Sequence, residues 1–313
     1  MLKIFLLFIL CFNLYAVDKI TPSKVLTTSG DVQDMKLKDN ILYAGTSNGT
    51  VEIFDINTNE KLKEIKIPDI KDFMGDTIPA KIYSIDILNN KILIVSQGMN
   101  GYRNIFIYEN SDLKKIIDIE KKYYLQKAYF VDDNNIIFAL LSNQIGLYNF
   151  TSQKLKYLIQ ISASSFSDFV INQNKQTIVT TDESGIVKEI NINEGSVIKQ
   201  YKTLNLDKIY QLDFKNNVVI TAGQDRKSSI YKNQSSYKLE FDFLLYSCAL
   251  NKNGKYGAIA FNEENEVLIF NIDTKEYLKI LTGQEATVTK ILFNTKNQVF
   301  VSSDSNKINY YNF

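Results

Sequence analysis

Ile41-Leu-Tyr-Ala-Gly-Thr-Ser-Asn-Gly-Thr-Val-Glu-Ile-Phe-Asp-Ile56 reads as a strand, a small polar turn, and a second strand closed by an aromatic residue and Asp. The pattern recurs along the chain. Aligned on the residue that closes the second strand, the copies fall at Phe54, Tyr108, Tyr148, Ile190, Tyr231, Phe270 and Tyr311. They are separated by 54, 40, 42, 41, 39 and 41 residues. A period near forty with several short strands per unit is the signature of propeller blades, so seven copies imply seven blades.

Each unit parses into four strands, a to d. An apolar-x-x-apolar-x-apolar run marks strand a, as in Val32/Met35/Leu37, Phe166/Phe169/Ile171 and Leu245/Cys248/Leu250. Strand b follows, for example Ile92–Val95, and then the aligned strand c. A charged, alternating run such as Lys61–Ile67 or Tyr237–Phe243 makes strand d, whose polarity suits an outer edge. The seventh unit stops at Phe313 without a strand d. Val25-Leu-Thr-Thr28, ahead of the first strand a, can supply it and close the ring, which leaves no open sheet edge. The expected fold is an all-β seven-bladed propeller, with residues 17–313 as one domain.

Residues 1–16 differ from the rest. Lys3, the apolar run Ile4–Phe12 and Leu14-Tyr15-Ala16 have the layout of a cleaved secretory signal, too short for a comfortable membrane span. A periplasmic protein starting near Val17, with no membrane span after cleavage, is expected. Cys11 leaves with that segment, and Cys248 remains alone in the second apolar slot of a strand a. It is expected to be a buried structural thiol without a disulfide partner.

Of 36 basic residues, losing Lys3 leaves 35 against 35 acidic ones, and only Arg103 and Arg226 are arginine. That balance gives no long-range attraction to nucleic acid. The chain has no histidine, so imidazole acid–base chemistry, the usual zinc sites and a histidine-ligated haem are excluded. No phosphate- or dinucleotide-binding glycine motif occurs, and no cofactor is expected. Asp182-Glu183, Asp225, Glu263-Glu264 and Asp304 lie in b–c turns. They could hold Ca²⁺ or serve acid–base chemistry, but Asp in such turns ordinarily bonds its own backbone.

One interval breaks the period: Pro68–Lys81 enlarges the first d–a connection. The second unit also has the longest b–c turn, Gln97–Asn104. In an up-and-down blade these connections emerge on the same face. Phe73, Met74, Met99, Tyr102 and Arg103 are therefore expected in one neighbourhood, with the composition of an interface anchor.

The Ser/Asp-x-x-x-Val/Ile-x-Ile-Phe/Tyr-Asp/Asn pattern, clearest at Ser47–Asp55, Asp182–Asn191, Asn262–Asn271 and Ser303–Asn312, resembles the second half of a WD40 repeat. With no Trp and no His, the chain lacks the Trp-Asp and Gly-His pairs of that family, and Phe or Tyr stands at the strand ends. The resemblance implies a rigid platform for other proteins. In its length, leader segment and degenerate repeats the chain is also similar to the NapL accessory proteins of periplasmic nitrate reductase systems. That similarity implies a non-catalytic role in maturation or activity of the reductase, with a reductase subunit as partner. The alternatives are an envelope or outer-membrane assembly propeller, or a carboxylate- and Ca²⁺-dependent hydrolase.

Overall fold

In the computed structural model, which describes residues 17–313, seven blades follow one another around a ring, each built on four antiparallel strands, with a fifth strand added to blade six. Blade one comprises Val32–Lys38, Ile41–Thr46, Thr50–Asp55 and Lys61–Lys66. The other innermost strands begin at Ile82, Leu125, Phe166, Ile209, Cys248 and Val288. All seven aligned residues lie in strand c. Both faces of a blade are covered by its neighbours, which is why strand b in blade two, Lys91–Gln97, is a nearly continuous apolar run.

The core is divided the same way. Each of the seven interfaces between adjacent blades holds its own buried cluster. The cluster joining the last blade to the first unites Phe300 and Ile308 with Met35, Leu42 and Phe54. Leu26 belongs to it, because Lys24–Thr27 pairs antiparallel with Lys307–Asn312 as the outer strand of blade seven. The N-terminal strand thus closes the ring, as the unit count requires.

Tyrosines at the end of strand c add latches between blades. Tyr148, Tyr231 and Tyr311 donate their hydroxyls to the carbonyls of Ile116, Lys202 and Thr282, each at or just past strand d of the preceding blade. A Trp could fill the same space, but its indole would present a different donor geometry.

Three local features depart from the expectations. Asp18–Ile20 forms a fifth strand in blade six, parallel to Tyr277–Leu281. Pro68–Lys81 contains a small hairpin, Ile70–Lys71 against Thr77–Ile78. Strand d of blade five is Ser235–Glu240, so it ends three residues before Phe243, and Phe241-Asp242-Phe243 enters the connection to blade six. Among the described residues no helix is long and apolar enough to cross a membrane. The proposed leader, with Cys11, lies outside the described residues.

Candidate interaction face

The d–a and b–c connections share one face of the ring and the a–b and c–d turns share the other. At the base of the enlarged connections the two loops are joined, since Gln97 N donates to Lys81 O at 2.7 Å. Gly49, in the neighbouring b–c turn, has φ +73°, and a Cβ there would stand 3.0 Å from Ala80 O. Glycine is therefore required both by conformation and by the close approach of the insertion.

The five residues singled out from sequence occupy different surroundings. Phe73 and Met74 sit at the hairpin tip, 95% and 73% exposed. Met99 is exposed in the b–c turn of blade two, and Tyr102 packs on Tyr124 with ring centroids 4.9 Å apart. Arg103 is turned inward: its guanidinium lies 3.5 Å from the Tyr83 ring centre and donates to Leu125 O. Burial pulls its pKa down, and its guanidinium is engaged inside the molecule by Tyr83 and Leu125 O. Arg103 is thus a support for the loop, whereas Phe73 and Met74 present their side chains outward.

Sequence reasoning passed over Leu141 and Leu206, exposed in the b–c turn of blade three and the connection to blade five. With Tyr124 they place exposed apolar side chains at further points on the same face. Among the described residues every other exposed large hydrophobic residue lies on the fourth strand of a blade: Val25, Leu62, Leu155, Val197, Ile198 and Tyr277. None lies in the a–b or c–d turns among the described residues, where Asn and Lys dominate, as at Asn216-Asn217 and Lys252-Asn253.

The central channel is lined by the x positions of strand a in two levels. The first carries Asp34, Lys127, Asp168, Gln211 and Lys290, and the second Lys36, Asp86, Tyr129, Val170, Asp213, Ala249 and Leu292. These carboxylates clasp adjacent blades. Asp34, Asp86, Asp168 and Asp213 accept the amides of Ile85, Phe130, Leu212 and Leu250, each on the next blade. Lys127 pairs with Asp168 at 2.7 Å, and Lys290 lies 3.6 Å from Asp34. Lys36 sits over the Tyr129 ring at 4.3 Å, and burial pushes its pKa down to about 8. The channel's charges thus serve one another and the backbone, leaving cavities of only about 150 and 220 Å³.

The b–c turn carboxylates divide similarly. Asp182 accepts from Asn143, Ser162 and the Ser184 amide, and Asp225 from Asn205 and the Leu206 amide. Both are turn-building groups. Among the described residues no three His, Cys, Asp or Glu side chains are grouped to hold a metal ion. Cys248 is buried, with its thiol near Gln211 O and Ile220 O, and burial raises its pKa well above the ordinary range.

No known sequence family matches the chain, and no curated protein matches it by sequence. Among solved structures it is similar to the β-propeller domain of Cps50 (Swd1) from Myceliophteria thermophila, with a TM-score of 0.76 at 14% identity. The match covers 93% of this chain and 99% of that one. At that identity the likeness establishes the propeller fold.

Proposed function

We propose that residues 17–313 form a single-domain, non-catalytic docking platform, exported after removal of residues 1–16, that binds a protein partner through the d–a and b–c face. One observation carries this reading: among the described residues, the exposed large hydrophobic residues outside the outer strands of the blades lie on that face. An apolar surface of this kind, rimmed by polar turns, is the ordinary mark of a protein contact. Phe73, Met74, Met99 and Tyr102 contribute at blades one to three, with Leu141 and Leu206 at further points on the same face. Arg103 holds the blade-two loop in place.

The favoured partner is a subunit of a periplasmic nitrate reductase, with the propeller assisting its maturation or activity. This follows the resemblance in length, leader and degenerate repeats. The test is affinity capture of the tagged mature chain from its native cells after brief crosslinking, with Phe73→Ala/Met74→Ala alongside. Both side chains are largely exposed, so the double variant should stay folded within about 0.5 kcal/mol. Recovery of a reductase subunit, reduced in the variant, is expected. Recovery of envelope-assembly components would replace the reductase assignment, and capture unaffected by the variant would refute this surface.

A further inference from the structure

We infer that the same face carries a second, chemically distinct subsite, a groove between blades five and six that receives a basic segment of the partner protein. It deepens the docking reading and rests on it. The groove, of about 400 Å³, runs between the end of strand d in blade five and the b–c turn of blade six. Its apolar wall is Phe241, Phe243 and Phe261, all half-buried, with Phe241 and Phe261 rings 5.8 Å apart. The aromatic surface continues towards the channel mouth, from Phe243 to Tyr246 at 6.4 Å and on to Tyr210 at 5.0 Å.

The groove opens just past the end of strand d, which stops at Glu240 opposite Lys227, the first residue of strand c. In a continuing strand, Phe241 and Phe243 would take up edge positions. Pairing with strand c ends with one more bond, Phe241 N to Arg226 O, after which the segment leaves the strand towards blade six. Charge then selects the occupant. Glu240, Asp242, Glu263 and Glu264 line the groove. Glu240 is held by Lys238 at 2.7 Å, but Asp242, Glu263 and Glu264 have no cationic side chain within 4 Å among the described residues. The nearby Glu266 is already paired with Lys19. Arg226 and Lys227 are the closest basic residues on the adjoining turn, and Lys227 lies 3.9 Å from Asp225.

Three exposed, unpaired carboxylates around an aromatic wall suit a lysine or arginine side chain. Its methylene stem lies on the rings while its charged end meets the acids and the ring faces. An acidic or purely apolar segment would leave those charges desolvated and unpaired. The volume accommodates one or two such side chains, being in the range of pockets for small ligands, about 300–1,000 Å³.

The test uses the full mature chain and two fluorescein-labelled peptides, Gly-Lys-Leu-Lys-Leu-Lys-Gly and its counterpart with Glu at each Lys, in a fluorescence anisotropy titration. The variant Asp242→Asn/Glu263→Gln/Glu264→Gln preserves shape and alters only exposed residues, so folding is retained. The lysine peptide should bind the native chain, and the variant should bind about tenfold more weakly. The glutamate peptide should not bind. Equal binding of the two peptides, no binding of the lysine peptide, or no change in the variant would each overturn the inference. In a parallel capture experiment the same triple variant should recover less of the native partner, and unchanged capture would show that the groove does not receive a segment of it. Loss of capture by Phe73→Ala/Met74→Ala tests the docking face itself.

Discussion

Replacing Asp168 with Asn should destabilise the ring far more than its small change in shape suggests. The carboxylate joins three blades: it accepts from Lys127 Nζ in blade three, from its neighbour Phe169 N, and from Leu212 N in blade five. The side chains of Lys127 and Asp168 are only 10% and 8% exposed. Asn removes the counter-ion and puts a donor where an acceptor is needed. Stranding one partner of a buried ion pair costs about 3–5 kcal/mol. Asp34 and Asp213 also act on Lys127, so the lower end, about 3 kcal/mol, is expected. Lys127→Met in the same background removes the stranded ammonium and should return about 2 kcal/mol of this as coupling energy. Urea unfolding of the native chain, both single variants and the double variant measures the cycle. A loss below about 1 kcal/mol for Asp168→Asn, with no coupling to Lys127→Met, would refute the clasp.

The pair also sets a sign for pH dependence. Burial pulls the Lys127 pKa down, but the carboxylates of Asp168, Asp34 and Asp213 together more than offset this and hold it above the ordinary 10.5. The stability linked to the Lys127 ammonium is therefore present below 10.5 and lost as pH rises through its higher folded value. In Asp168→Asn this alkaline loss should shrink.

Three further outcomes follow from the fold. Leu26→Asp places a charge in the cluster joining blades seven and one and should cost at least about 3 kcal/mol, with amide exchange rising first in Lys307–Asn312. Tyr311→Phe removes the 2.6 Å bond to Thr282 O and the partner of Gln284 Nε2, costing about 1–2 kcal/mol in the same unfolding assay. Cys248 should resist a thiol reagent at pH 8 in the native state and react only as the protein unfolds, because its thiol is buried and its pKa raised.

The ring was legible because its signal is repeated and apolar. Strand c can shift little without moving Phe54 or Phe270 out of a blade interface, so seven copies reinforce one register. The closing strand was legible from the missing strand d of the seventh unit. The channel clasp was harder to see, although its signal is present: Asp34, Asp168, Asp86 and Asp213 all occupy x positions of the strand-a run. Only the curvature of the ring shows that such a position reaches an amide on the next blade. The parallel strand Asp18–Ile20 has three residues, of which Asp18 and Lys19 are exposed and Ile20 half-buried, too little pattern to read. For the interface, sequence indicated the long loops but passed over Leu141 and Leu206. Each is a single apolar residue in a turn, and its exposure follows from where the blade ends.

Photocrosslinking from the two faces tests the central claim most directly. p-Benzoylphenylalanine is placed at Leu206 on the d–a and b–c face, or at Asn253 on the opposite face; both positions are exposed. Illumination with the native partner should give a crosslink from position 206 and none from 253. A crosslink from 253 alone would place docking on the Asn- and Lys-rich face and contradict the account.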